Sequence, residues 1–488
     1  MKPRPLRALA RAPLAALLVL ATPLAAAAEA PLRSTPEAPL RSTPEARSEV
    51  AITVYNQDFG LVREIRSVEL GGGPVSLEFE GVASTIQPET VAIRSLAGEG
   101  ALRVLEQNYR YDLLSPQKLL EKYVGRRVKV YRWNDVAGRE EVQDAEVLST
   151  HGGTVLRIGD EITFGYPGRI GFPEIPENLI AKPSLVWRLD ADAGRQDVEV
   201  SYLASGLRWN ADYVLVLSPD DTAGDLTGWV TLDNRSGAAF QDAKLQLVAG
   251  DVQRVQPQPV PMAARMRALG MAEEADAFRE ESLFEYHLYT LERPATLLDN
   301  EKKQITLLQA PGIGLEKHYE LRGQPHYYRS AIAGALDSKR KVSVLLELDN
   351  SEANGLGMPL PKGVVRVYKE DADGGRQFVG EDAIDHTPRD EEIRVKLGEA
   401  FDVVADRRQM EWREQGRCGS ESTFEIELRN HKDEDVEVEV VEPAMGEWEI
   451  LRSSHPHERI DAQRFRFTPK VPAHGETTVT YTVRVRWC

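Results

Sequence analysis

From Val50 onward, apolar and polar residues alternate with period two, as in Ile52 and Val54, then Val75, Leu77 and Phe79, with Gly71, Gly72, Gly73 and Pro74 between the runs. Alternation broken by glycine predicts antiparallel strands joined by a hairpin-like turn. The rhythm changes at Ser115 and Pro116, an N-cap followed by proline at the first helical position. Leu119, Leu120, Tyr123 and Val124 then give one apolar face, and Gly125 closes the segment, so a short helix is expected. Short strands follow at 127–132, 142–149, 154–158 and 161–164, with a last one near Ile170. One turn of helix leading into five short strands predicts a small SH3-like barrel. Longer alternating runs resume at 198–203, 213–217, 229–232 and 245–248, and again between 285 and 397. A last group at 423–429, 436–441, 448–451, 465–468 and 477–486 has the turn spacing of an immunoglobulin-like sandwich.

These patterns predict a mainly β, multi-domain chain of β-sandwiches. The expected divisions are an N-terminal β domain over 50–112, the barrel with its leading helix over 113–183, a central β-sandwich over 184–416 and the immunoglobulin-like sandwich over 417–488. A length of 488 residues agrees, because single cores stop growing at roughly 250 to 300 residues. The strand rhythm breaks at Pro257, Pro259 and Pro261, and Met262, Met266 and Leu269 lie at helical spacing. Segment 257–283 is therefore expected to be a mobile or loosely helical insertion between strands.

The first residues differ from everything after them. Lys2, Arg4, Arg7 and Arg11 precede an apolar run from Ala12 to Leu24 and the small residues Ala25 to Ala28, which predicts a signal peptide over 1–28 and a periplasmic or secreted protein. The run is shorter than the roughly 20 residues of a membrane-spanning helix, and no later segment reaches that length. Next comes the octapeptide Glu-Ala-Pro-Leu-Arg-Ser-Thr-Pro, twice in tandem as Glu29 to Pro36 and Glu37 to Pro44. Its proline density predicts an extended tether over 29–49. Removing residues 1–28 leaves 56 of the 60 basic residues against 77 acidic ones, a net charge of −21. Such a surface repels phosphate backbones and argues against nucleic acid as a partner.

Five stretches carry a family resemblance: Tyr55-Asn56-Gln57-Asp58-Phe59-Gly60-Leu61-Val62-Arg63, Trp209-Asn210-Ala211-Asp212-Tyr213, Pro359-Leu360-Pro361-Lys362-Gly363, Asp385-His386-Thr387-Pro388 and Gly398-Glu399-Ala400-Phe401-Asp402. Together they resemble secreted bacterial proteins grouped as a domain of unknown function and linked by name to mucoidy inhibitors. The resemblance covers nearly everything after residue 50 and implies a multi-domain β architecture in the cell envelope. It brings no catalytic residues with it, and the doubled octapeptide, Cys418 and Cys488 depart from its pattern.

Candidate chemistry is sparse. The sequence has no HExxH, GxSxG, Walker A loop or CxxC, and no GxGxxG after a strand, which lowers the expectation of zinc proteases, serine hydrolases, nucleotide enzymes and thiol oxidoreductases. His455 and His457 flank Pro456 in an expected loop, too few ligands for a structural metal site. Asp371, Asp373, Gly374 and Gly375 suit a hairpin turn better than a calcium loop. Trp209, Asn210, Asp212 and Tyr213 are expected at a strand start with the tryptophan buried. The densest polar cluster holds Glu381, Asp382, Asp385, His386, Asp390, Glu391 and Glu392. Within it Asp385, His386 and Asp390 are the candidate metal ligands, set against a plain acidic loop with local turn caps. Cys418 and Cys488 are a candidate disulfide in an oxidising compartment, although an up-and-down count of five strands would put them at opposite poles. The leading expectation is a non-enzymatic envelope protein that binds a protein or polysaccharide and needs no cofactor. A metal-dependent hydrolase built around His386 is the alternative.

Overall fold

The computed structural model describes residues 39–176, 178–250, 252–254, 278–371 and 373–487. The expected signal peptide, residues 29–38 of the tether, most of the 257–283 insertion and Cys488 lie outside the described residues. The elements in chain order begin with β1 (Leu40–Ser42), β2 (Arg47–Tyr55), β3 (Phe59–Leu70), β4 (Gly73–Glu80), β5 (Ala92–Ser95) and β6 (Leu102–Arg110). Helix α1 (Pro116–Lys122) leads into β7 (Arg127–Asn134), β8 (Arg139–Ser149), β9 (Val155–Ile158), β10 (Glu161–Phe164) and β11 (Arg169–Gly171). Then come β12 (Ser184–Ala191), β13 (Gly194–Ser205), β14 (Leu207–Leu217), β15 (Ala223–Asn234), β16 (Phe240–Ala249), β17 (Phe278–Leu283), β18 (Tyr286–Leu291) and β19 (Ala295–Leu297). They are followed by β20 (Glu301–Gly314), β21 (Glu316–Arg322), β22 (Ala335–Asp349), β23 (Gly363–Glu370), β24 (Arg376–Ile384) and the long β25 (Glu392–Glu414). The chain closes with β26 (Gly419–Asn430), β27 (Val436–Pro443), β28 (Glu447–Ser453), β29 (His457–Arg459), β30 (Arg464–Phe467), β31 (Lys470–Val471) and β32 (Glu476–Arg486).

The chain is mainly β, and its helix forms where the N-cap and proline signals put it. The Ser115 hydroxyl accepts from the Lys118 N–H at 3.2 Å, and Gly125 takes the left-handed conformation (φ +78°) that ends the turn. Leu119, Leu120 and Tyr123 pack on a small core of Val128, Val130, Ala145, Val147 and Leu156, whereas Val124 points into solvent. The five strands of this module form one sheet in the order β10-β9-β8-β7-β11.

Elsewhere the pairings cross the segment boundaries expected at 112, 183 and 416. β6 and β12 are antiparallel neighbours, so the helix and its five strands are an insertion between two paired strands. β12 also pairs with β4, setting Trp187 opposite Leu77. β13 pairs with β3 along its whole length, and β16 lies parallel to β2. β21, β22 and β25 join one ten-stranded sheet with the strands after 417. Alternation reveals which residues of a strand face inward, but not which strand lies beside it. From Leu40 onward the contacts define one compact unit.

The tether reading fails for its described part. Leu40, Arg41 and Ser42 form a parallel edge strand against Leu77, Glu78 and Phe79, and Ser42 is buried. The buried Arg66 guanidinium donates to the Ser42 carbonyl at 2.9 Å, a partner the repeat pattern gave no hint of. The expected insertion also ends early, because β17 starts at Phe278.

Two strands tie the main cores together. Leu346 and Leu348 of β22, with Ile393 and Val395 of β25, belong to the large core shared by the first sheets. Val342 of β22, with Val403 and Ala405 of β25, belongs to the C-terminal core around Phe424, Phe465, Phe467 and Tyr481. Chain corners are fixed by three buried asparagines that each follow a Leu-x pair, Asn234, Asn350 and Asn430. The Asn350 amide donates to the carbonyls of Met358 and Pro388 at 2.8 Å and accepts from Gly357. Asn430 donates to Glu434, Val471 and Pro472, and Asn234 to Ala238 and Leu298.

At the C-terminus β26 and β32 are antiparallel neighbours, so the start of one meets the end of the other. Trp487 N–H donates to the Cys418 carbonyl at 2.9 Å, and Gly419 stands opposite Arg486. The opposite-pole geometry expected from strand counting does not hold at these strand ends because, of the intervening strands, β28 stays beside β32 while β27, β29 and β30 lie on the far side of the sheet.

Asp221, in the turn after β14, bonds Lys317 of β21 and Lys369 of β23. Burial would raise its pKa, but the two ammonium groups outweigh it and hold it below the ordinary aspartate value. A depressed folded pKa stabilises the fold above the unfolded pKa, and that contribution disappears as pH falls through the folded value. Asp221→Asn is therefore expected to lower the melting temperature at pH 7, with the difference from wild type closing as pH drops below about 4. Equal differences at both ends of that range, in calorimetry, would contradict this.

Candidate functional site

His386 lies at a junction of loops. Its Nδ1 accepts from the Lys362 N–H at 3.2 Å, and its Nε2 lies 3.4 Å from the Asn56 side-chain amide. An isolated bridge pairs Leu360 with Thr387. From beneath, Tyr213 donates to the Pro361 carbonyl at 2.7 Å and Tyr289 to the Pro359 carbonyl at 2.9 Å. Burial pushes both phenols above the ordinary tyrosine value and keeps them as donors. Trp209, also buried, donates to the Val248 carbonyl. The Tyr55 ring stacks on Phe59 at 4.3 Å, and the Arg254 guanidinium lies over the Phe59 ring, also at 4.3 Å. Four of the five stretches quoted for the resemblance thus meet around one imidazole.

The expected metal ligands do not converge there. Asp385 is exposed, and its backbone carbonyl accepts from the Thr387 hydroxyl at 3.0 Å. Asp390 is exposed in a left-handed turn (φ +62°), its N–H donating to the Asn350 carbonyl and its carboxylate 3.5 Å from Arg389. Asp382 takes up local backbone contacts, accepting from Ala383 and Lys396 N–H groups. The segment behaves as a loop clamped by Asn350. Asp371 likewise accepts from Asp373 and Gly375 N–H groups at the β23–β24 hairpin.

A different set does converge. Among the described residues Glu316, His318 and Glu347 bring ligand atoms within 4.8 Å of one another. Glu316 and His318 are two apart on β21 and share its outer face, while Tyr319 and Leu321 point into the core. Glu347 of β22 stands directly opposite Glu316. His318 Nε2 is 3.7 Å from Glu316 Oε2 and 3.6 Å from Glu347 Oε2, and His318 Nδ1 is 3.3 Å from Glu439 Oε1 on β27. Arg394 flanks Glu347 and Arg466 flanks Glu439, so the row spans β25, β22, β21, β27 and β30. Burial raises the Glu347 pKa above the ordinary glutamate value, against Arg394 and with Glu392. The set is not visible along the chain, because its ligands come from two strands. The local signal was Glu316-Lys317-His318, two ligand types at period two.

Residues 198–488 match the family model described as Domain of unknown function (DUF4139). Among curated proteins none matches the chain. The matched region includes four of the five stretches quoted above and leaves out 55–63, which the fold brings to His386 through Asn56.

Proposed function

The chain belongs to that family, with more than half its length in the match, and from this premise we propose a non-enzymatic binding or scaffold protein of the cell envelope. It is exported, periplasmic or secreted, and its partner is an envelope protein or polysaccharide. The observation that supports this reading best is where large apolar side chains face solvent. Trp133, Val136, Val142, Ile162, Phe164 and Ile175 are all exposed on the inserted five-stranded module, Phe164 at 83% and Trp133 at 60%. Scattered exposed apolar residues are ordinary, but a concentration on one small module marks a contact surface. Beside them Arg169 lies over the Tyr131 ring at 3.7 Å while gripping Glu140 through two hydrogen bonds. Aromatic faces framed by fixed charges suit sugar rings or extended peptide. No described helix is long and apolar enough to cross a membrane.

A hydrolase centred on His386 is the weaker reading, because Nδ1 is spent on a backbone N–H that ties two loops together. Crosslinking of the exported protein in its envelope, followed by capture, is expected to recover a specific partner. The double variant Trp133→Ala, Phe164→Ala should reduce that recovery about tenfold or more while the protein stays folded. Undiminished recovery would remove the inserted module from the contact, and turnover of an envelope polymer by the purified protein would overturn the non-enzymatic reading.

A further inference from the structure

We infer that Glu316, His318 and Glu347 form a binding site for one divalent transition-metal cation on the outer face of the C-terminal sheet. The spacing carries the inference. A charge-assisted hydrogen bond brings nitrogen and oxygen to roughly 2.7 to 2.9 Å. Two ligands each about 2.1 Å from a tetrahedral metal stand roughly 3.4 Å apart. The Nε2 to carboxylate separations of 3.6 and 3.7 Å are too long for the first and close to the second. His318 Nε2 and Glu347 Oε2 are both buried without a hydrogen-bond partner. Arg394 Nη2 lies 2.6 Å from that oxygen but off the hydrogen-bonding direction, so the ion pair does not satisfy it. A cation between the two atoms would answer both.

The surroundings fit. Glu439 behind the ring favours a proton on Nδ1, which leaves the Nε2 lone pair facing the two carboxylates, the arrangement by which an outer carboxylate orients a histidine ligand. Glu316, Glu347, Glu392, Glu439 and Glu458 surround the row, against Arg394 and Arg466, an acidic excess that a divalent cation offsets. Glu316 is 81% exposed, so entry is open from solvent and water can complete the coordination. One imidazole with two carboxylates selects Zn²⁺ or a neighbouring first-row metal over Ca²⁺ and Mg²⁺, which prefer all-oxygen sets. Holding β21 to β22 on their solvent face, the metal is structural, and the inference is independent of the inserted module's binding role.

The test is titration calorimetry of the full chain with Zn²⁺ alone. One equivalent is expected to bind, with a rise in melting temperature, and millimolar Mg²⁺ or Ca²⁺ should not displace it. His318→Ala and Glu316→Gln should each weaken binding about tenfold or more and abolish the thermal shift. Glu316 is exposed enough that its replacement leaves folding intact, which keeps the test decisive if His318→Ala is unstable. An absence of Zn²⁺ uptake, or uptake unaltered in Glu316→Gln, would overturn the inference.

Discussion

Glu442→Ala is expected to destabilise the protein by about 3 to 5 kcal/mol in chemical denaturation, the largest single effect in the C-terminal core. Glu442 and Arg407 have no solvent exposure, and the Arg407 guanidinium donates to Glu442 Oε1 at 2.6 Å. Tyr328 donates to the other oxygen at 2.7 Å, and the Tyr481 hydroxyl lies 3.3 Å from that of Tyr328. Burial would lower the Arg407 pKa, but the adjacent Glu442 carboxylate raises it above the ordinary arginine value. Removing Glu442 therefore leaves the buried Arg407 charge only Asp337, 3.4 Å from Nη1, as a counter-charge, while its Nε and Nη1 are already buried without hydrogen bonds. The Glu442 carboxylate packs directly against the backbone at Gly323, where an added Cβ would run into it. Arg407→Met combined with Glu442→Leu should recover most of the loss, since an apolar pair of similar volume costs little relative to a buried ion pair. A loss below about 1 kcal/mol for Glu442→Ala would show that water reaches the pair.

Arg66→Ala should cost a similar amount, again about 3 to 5 kcal/mol, and should also release the N-terminal edge. Arg66 is fully buried, donates twice to Glu64 and once each to the Ser42 and Glu80 carbonyls, and lies 3.5 Å over the Phe79 ring. One guanidinium thus joins β1, β3 and β4. Without it Glu64 keeps only Arg47, and Ser42 loses its tie to the interior. Limited trypsin digestion is expected to cut after Arg41 in the variant under conditions that spare the wild type. Equal cleavage in both proteins would mean that backbone pairing to Leu77–Phe79 alone holds β1.

Local features were legible in the sequence wherever the physics is local. Ser115, Pro116 and Gly125 specify their helix through caps and backbone preference, and Ile52, Val54, Leu77 and Phe79 face inward as their alternation requires. Trp209 and Tyr213 are buried as their setting at a strand start suggested. What depends on partners distant in sequence was hidden. Leu40–Ser42 reads as proline-rich tether until Arg66 is placed beneath it, and 73–80 gives no sign of its pairing with 184–191. The cluster at Asp385, His386 and Asp390 is dense along the chain yet dispersed in space, because adjacent residues in a loop point different ways. Glu316, His318 and Glu347 are the reverse case, brought together only by the register of two neighbouring strands.

The matched region starts at residue 198, inside β13, whose partners are β3 on one side and β5 on the other. β16 likewise leans on β2. A polypeptide severed at that point would lose both neighbours of β13 and one of β16, baring rows of unanswered amide and carbonyl groups where foreign chains can add themselves. The sequence unit recognised by kinship is therefore smaller than the unit whose sheets are complete, and the preceding strands cover its open edges.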